Sequence, residues 1–70
     1  MTIRLLDVVA LTVDQLDRGL LRGQVGTIVE IVAPGVYEVE FSDDQGRTYA
    51  QLALPADQLM VLHYQPEQAA

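Results

Sequence analysis

The chain has 70 residues, 50% of them hydrophobic, with ten acidic side chains against four arginines and a net charge of −6. This length suits one small domain, because a second domain would lack a core of its own, and the hydrophobic fraction is too high for a disordered chain. The sequence contains no cysteine, which excludes a disulfide scaffold, a thiolate zinc site and a cysteine nucleophile.

The negative charge is concentrated in the second half of the chain. Residues 1–35 sum to −1, whereas residues 36–70 sum to −5. Nucleic acids and anionic membranes are bound through clustered cations, so neither is a favourable partner for this chain. One interpretation of the acidity is a face that binds a basic protein partner, and the other is solubility alone.

The first elements are a strand, a long loop and a second strand. Residues 7–11 form a short β-rich run. Residues 12–23 lack a hydrophobic period and contain two glycines, which favours a structured loop with at most one helical turn. Residues 24–32 hold five β-branched aliphatic residues and one threonine, and predict the clearest strand of the chain. The Gly23 and Gly26 pair at its start predicts a sharp bend or a bulge.

Two tight turns divide the next segment. Residues 33–36, Ala-Pro-Gly-Val, predict a type II turn, because proline restricts φ at the second position and glycine permits a positive φ at the third. Residues 37–41 alternate, which puts Tyr37 on one face of a strand and Glu38 and Glu40 on the other. Residues 42–46 predict a hairpin turn, and residues 47–54 alternate again as a strand.

The last elements complete an all-β fold. Residues 55–58 predict a single 3-10 turn, residues 59–64 a last apolar strand, and residues 65–70 a flexible tail. We therefore predict that residues 1–64 form a small five-stranded SH3-like barrel with a long first loop and one 3-10 turn before the last strand. The predicted core consists of Val8, Val25, Ile28, Ile31, Val39, Phe41, Ala50, Leu52, Leu59 and Val61.

The reactive side chains lack the partners that catalysis or metal binding needs. His63 is the only imidazole, and no motif places a carboxylate or a nucleophile beside it. Asp43 and Asp44 lack the alternating spacing of a calcium loop. A small barrel also has little room for a cleft between two catalytic acids. We therefore expect no enzyme activity, no cofactor and no metal site.

The N-terminal segment lacks the pattern of a signal peptide. Asp7 interrupts its first apolar run, and no small-residue cleavage site follows. No window of the chain approaches the ~18 apolar residues that cross a bilayer. We therefore expect a cytoplasmic protein that has no membrane partner.

A short segment resembles a known motif. Residues 23–31, Gly-Gln-Val-Gly-Thr-Ile-Val-Glu-Ile, resemble the KOW motif of ribosomal proteins and transcription elongation factors. The resemblance implies an SH3-like barrel that contacts RNA, and Arg18 and Arg22 lie close to the motif. Such RNA-binding domains are typically basic, which this chain is not, and aromatic residues for base stacking are sparse. An RNA- or ribosome-associated barrel is the alternative function.

Over residues 5–62 the chain is similar to a family of small bacterial proteins, common in cyanobacteria, that is catalogued as a domain of unknown function. Order, spacing and turn residues match in residues 6–11, 19–30, 37–41, 46–48 and 54–59. The resemblance implies a stand-alone SH3-like barrel with no assigned activity and no catalytic residues.

We therefore expect a non-catalytic protein-interaction module, such as an antitoxin, an immunity protein or an accessory subunit, that binds a basic protein partner. Interface hot spots combine apolar or aromatic anchors with charges at the rim. The candidate partner-binding residues are Leu20, Leu21, Tyr37, Glu38, Glu40, Asp43, Asp44 and Tyr49. Leu20 and Leu21 are equally well interpreted as residues that cap the barrel. Residues 60–64 are apolar in both alternating phases, which predicts burial on both sides, either in a homodimer through the last strand or against a partner.

Overall fold

The computed structural model describes residues 2–66. Its strands are β1 (Val8–Leu11), β2 (Val25–Ala33), β3 (Val36–Ser42), β4 (Thr48–Pro55) and β5 (Leu59–Val61), and its two 3-10 turns are η1 (Leu16–Arg18) and η2 (Ala56–Gln58). The all-β prediction is confirmed, including the 3-10 turn before the last strand. The turn η1 lies within the long first loop.

The five strands form one antiparallel sheet in the order β4-β3-β2-β1-β5. The long strand β2 pairs with β1 through its first residues and with β3 along its length. Within residues 2–66 no strand pairing joins the outer strands β4 and β5. Closure of the sheet into an SH3-like barrel therefore stays a prediction.

The core covers one face of the sheet. Its buried members are Ile3, Val9, Leu11, Leu20, Ile28, Val39, Phe41, Leu52, Leu54 and Leu59. Half of the predicted core is among them, and Ala50 and Val61 pack against them while partly buried.

Three core predictions, for Val8, Val25 and Ile31, are wrong. Val8 is only partly buried, and the other two are 44% and 50% exposed. In β1 the residues of both faces are apolar, so alternation does not show which face is buried. In the structure Val9 faces the core. The register pairs Val8 with Thr27 and Ala10 with Val25, which puts Val8 and Val25 on the outer face. Ile31 lies in the far part of β2, beyond the pairing with β1.

Gly26 marks a close approach of backbones and not the predicted bulge. A Cβ atom at Gly26 would lie 2.6 Å from Cγ1 of Val39 and 2.9 Å from the carbonyl oxygen of Glu40. The pairing of residues 25–27 with β1 and of residues 26–28 with β3 is regular, so no bulge lies here. The sharp bend, the other predicted feature, stays a prediction. The side-chain space, and not a positive φ, requires glycine here.

Two register shifts between β2 and β3 lie further along the strand, the first between Ile28 and Glu30 and the second between Ile31 and Ala33. Ile28 pairs with Val39 and Glu30 pairs with Glu38, so Val29 is an extra residue without a directly opposed partner. Regular alternation from Ile28 would place Glu30 on the core face. The extra residue reverses the phase and places Glu30 on the outer face, opposite Glu38.

Both predicted tight turns are present. Gly35 follows Pro34 between β2 and β3 with a φ of 74°, the sign that a type II turn needs at its third position. Gly46 has a φ of 81° in the β3–β4 turn, and its N–H donates to the carbonyl oxygen of Asp43 at 3.0 Å.

The last strand is shorter than predicted. β5 ends at Val61, so the prediction that it extends to Tyr64 is wrong, and His63 lies beyond it. Leu59 is buried, whereas Met60 is 50% exposed and Tyr64 is 83% exposed. Of the predicted tail, residues 67–70 lie outside the described residues. A three-residue outer strand offers little backbone for the predicted homodimer.

Candidate functional site

Two of the eight candidate residues point towards the core. Leu20 is 1% exposed and belongs to the buried cluster, so the structure supports its interpretation as a core cap. Its backbone pairs with Gln15, which folds the long loop back on itself. Tyr37 pairs with Leu54 and packs, partly buried, against the same cluster. The accessible candidates are therefore the other six.

Three glutamates lie together on the outer face of the sheet. We name Glu30, Glu38 and Glu40 the acidic patch. Glu30 and Glu38 are directly opposed across β2 and β3, and Glu40 is two residues along β3 on the same face. Opposed Cβ atoms are about 5 Å apart, and residues two apart along a strand are separated by about 7 Å. The acidic patch thus concentrates three carboxylates within a short distance.

The acidic patch lacks a counter-charge from the described chain. Within residues 2–66 the one ion pair joins Arg47 and Asp43. Glu38 accepts a hydrogen bond at 3.2 Å from the side-chain amide of Gln51 on β4, which is a neutral partner. Like charges directly opposed in an antiparallel pair repel each other and destabilise the sheet.

Glu30 was missing from the sequence-based candidates. Its place on the outer face depends on the extra residue Val29, and no turn signal or glycine in the sequence marks that residue. One signal was available. Ile28 and Ile31 were both predicted to face the core, and residues three apart in a strand share a face only when an extra residue lies between them.

The two aspartates of the β3–β4 turn have different roles. Oδ1 of Asp43 accepts hydrogen bonds from the N–H groups of Gln45 and Arg47, each at 2.9 Å. Oδ2 of Asp43 accepts one from Nε of Arg47 at 3.3 Å. The Arg47 N–H foremost, and then the other donors, hold the pKa of Asp43 below its ordinary value. Asp43 therefore builds the turn, while Asp44 presents its charge at the exposed tip.

Leu21 and Tyr49 form a second accessible feature, which we name the Leu21–Tyr49 patch. Their exposed fractions are 55% and 48%. The side chain of Gln24 connects them, because its Oε1 accepts the N–H of Leu21 and its Nε2 donates to the Tyr49 hydroxyl at 3.1 Å. The Tyr49 ring lies 6.3 Å from the ring of Phe41 in the core. Gln24 was not among the sequence-based candidates, since no motif marks a loop amide that connects two other residues.

Both patches lie in a region of the chain that matches a known protein family. The model of a domain of unknown function, DUF4926, matches residues 5–61. The chain belongs to the DUF4926 family. No curated protein and no solved structure matches it. The acidic patch and the Leu21–Tyr49 patch both lie inside the matched DUF4926 region.

The described part of the DUF4926 chain presents surfaces and no cavity. Residues 2–66 contain no detected pocket and no group of three or more side chains placed to hold a metal ion. No polar or charged residue of that range is buried. Among the same residues, the helical elements are too short to span a bilayer.

The arginines of the alternative function lie in the first loop of the DUF4926 chain. Arg18 is exposed in η1, and Arg22 is exposed with its N–H donating to Oδ1 of Asp14 at 2.8 Å. Asp17 lies beside Arg18 in the same turn, so the loop combines two acids with two arginines. Gly26, one of the two glycines in the segment that resembles the KOW motif, packs against Val39 and Phe41.

Proposed function

We propose that this DUF4926 protein is a cytoplasmic, non-catalytic binding module whose acidic patch binds a basic surface of a protein partner, in the manner of an antitoxin, an immunity protein or an accessory subunit. The observation that carries the proposal is the direct opposition of Glu30 and Glu38, with Glu40 beside them and no ion pair from the described residues to any of the three. A partner's Lys or Arg supplies the missing counter-charge and relieves the repulsion.

The electrostatic gain is modest for each contact and larger for the group. Exposed ion pairs are worth about 0.2 to 1 kcal/mol each, and a cation placed between two carboxylates interacts with both. The net charge of −6 also steers a basic partner towards the chain and raises the association rate. Binding of this kind weakens as salt is added, because exposed charges are screened over about 10 Å at 0.1 M.

The Leu21–Tyr49 patch supplies the apolar part of the interface. Tyrosine is enriched among hot-spot residues because it combines a large apolar ring with a polar end. The Tyr49 ring is already positioned by Gln24 and by its approach to Phe41. A pre-positioned side chain loses little conformational freedom when a partner binds.

The experiment is affinity capture from the native host with the tagged full chain. We expect one protein of basic isoelectric point to be captured in a stoichiometric amount, and its retention to fall as salt rises. Glu38→Lys/Glu40→Lys should abolish the capture. The matched control, Asp17→Lys/Asp57→Lys, changes the net charge equally at exposed sites in the two 3-10 turns and should preserve it. Equal loss with both double variants, or no loss with either, contradicts the proposal.

The same material tests the alternative function. An RNA- or ribosome-associated protein should be retained on RNA at about 50 mM salt, where phosphate contacts are strong. Arg18→Glu/Arg22→Glu should then remove the retention. That result, obtained without a captured protein partner, would replace the proposal with the RNA function.

A further inference from the structure

The far part of β2 has a neighbouring strand on one side only. β1 pairs with β2 as far as Thr27. Just beyond that pairing, Ile28 donates its N–H to the carbonyl oxygen of Asp7 at 2.9 Å and accepts the N–H of Leu6 at 2.7 Å. Within residues 2–66, no backbone hydrogen bond joins residues 29–33 to any segment except β3. We name residues 29–33 the open β2 edge.

The open β2 edge is apolar. β-Bulges give an edge some protection, and the register with β3 shifts between Ile28 and Glu30 and between Ile31 and Ala33, but two other common protections are missing. Val29, Ile31 and Val32 are 36%, 50% and 43% exposed. The segment contains no lysine and no proline, the residues that commonly prevent an edge from pairing with another chain. Its one charge is Glu30, a member of the acidic patch.

A turn holds a further apolar side chain at the end of this edge. The N–H of Asp7 donates to the carbonyl oxygen of Arg4, and Oδ2 of Asp7 accepts the N–H of Arg4. Within the turn Leu6 has a φ of 69° and is 74% exposed. A left-handed conformation is unusual for a bulky residue. The fold therefore presents a leucine to solvent where glycine would be less strained.

We propose that the open β2 edge binds an extended segment of the basic partner as an added β-strand in which basic and apolar residues alternate. Successive side chains of a strand point to opposite faces. One set of alternate side chains of the added strand would lie beside Ile31, and the other set beside Glu30. The edge therefore selects apolar side chains on one face and cationic side chains on the other. The inference rests on the proposed function, because it uses the same acidic patch.

Charge favours this occupant over a second copy of the chain. Self-pairing of the open β2 edge would bring a second Glu30 and a second net charge of −6 to the same place. The other outer strands are less suitable. On β4 the residues opposite Glu40 and Glu38 are Gln51 and Ala53, which carry no charge. The strand β5 has only three residues.

The test uses a synthetic ten-residue peptide that alternates lysine and valine, and a twin in which alternate amides are N-methylated. The two peptides have the same charge, but the twin cannot pair as a strand along its methylated side. At low salt we expect the twin to bind the full chain at least about tenfold more weakly, since it loses several backbone hydrogen bonds. Hydrogen exchange at residues 29–33 should slow at least about tenfold when the unmodified peptide is bound.

Neutral substitutions separate the edge from the charge. Ile31→Thr should weaken peptide binding about fivefold, while Met60→Thr should leave it unchanged. Both parent side chains are 50% exposed, and each residue has a paired strand on one side only. If both peptides bind equally and residues 29–33 exchange as before, the edge inference is wrong. The proposed function still stands in that case, provided that Glu38→Lys/Glu40→Lys abolishes capture of the partner. Slow exchange at residues 29–33 in a peptide-free dimer, shown by sedimentation, would assign the edge to a second copy and overturn the inference. Failure of the unmodified peptide to bind at millimolar concentration also overturns it, whereas the capture experiment alone decides the proposed function.

Discussion

Replacement of Glu30 by lysine should stabilise this protein. Glu30 is directly opposed to Glu38 across the outer face of β2 and β3, and both carboxylates lack a cationic partner within residues 2–66. Glu30→Lys converts the repulsive pair into an attractive one without changing the core. The same substitution removes a charge that the proposed partner would use, so stability and binding should change in opposite directions.

The magnitude follows from the geometry of the pair. Two unit charges about 6 Å apart in water interact by about 0.7 kcal/mol. Reversing one sign removes that repulsion and adds a similar attraction, which gives about 1.4 kcal/mol at low ionic strength. Screening at physiological salt reduces the gain by about half. For a domain of this size the low-salt gain corresponds to a rise of about 6 to 11 °C in the melting temperature.

The assay is urea and thermal unfolding at low and at physiological salt. The control is Asp44→Lys, which makes the same change in net charge at the exposed tip of the β3–β4 turn, where the strand register places no opposed glutamate. Glu30→Gln should give about half of the gain of Glu30→Lys. The reasoning is refuted if Glu30→Lys is no more stable than Asp44→Lys, or if its advantage is the same at both salt concentrations.

Three other substitutions test the backbone and the turns. Gly26→Ala should lower the free energy of unfolding by about 2 kcal/mol, because its Cβ would lie 2.6 Å from Cγ1 of Val39. The comparison is Gly35→Ala, whose added Cβ meets nothing within 4 Å and whose cost of about 1 kcal/mol comes from the positive φ alone. Urea unfolding should show the larger loss for Gly26→Ala, and an equal loss would contradict this. Leu6→Gly should be about 1 kcal/mol more stable than Leu6→Ala, since both remove the same exposed side chain and only glycine accepts the positive φ without strain; equal unfolding midpoints would count against strain at this residue. The pKa of Asp43 is lowered by the Arg47 N–H, so its carboxylate stabilises the fold at neutral pH, and this contribution is lost as the pH falls below about 4 and through the folded-state pKa. Asp43→Asn should therefore show a smaller loss of stability than the parent chain between about pH 5 and pH 2, and a parallel acid profile would show that the charge of Asp43 is not involved.

Local patterns determined the strand content and the turns. Alternation in residues 37–41 placed Val39 and Phe41 in the core and the glutamates outside, and the structure agrees. The Pro34-Gly35 and Gly46 signals marked both hairpins, because proline and glycine restrict or permit particular φ values regardless of their surroundings. These features depend on neighbouring residues and were therefore readable from the sequence.

Long-range pairing decided the rest. Val8 and Val9 are equally apolar, and the register with β2 and β5 selects Val9 for the core. Leu20 is buried because the loop folds back through Gln15, which no local pattern requires.

The candidate site shows the same division. Alternation alone placed Glu38 and Glu40 on one face, but Glu30 joins them only through the extra residue at Val29. The open β2 edge likewise exists because β1 stops pairing before β2 ends. The composition and alternation of the sequence determined an acidic, all-β chain, whereas the charge pair and the exposed edge were decided by the tertiary structure, since both depend on which residues the register brings opposite one another.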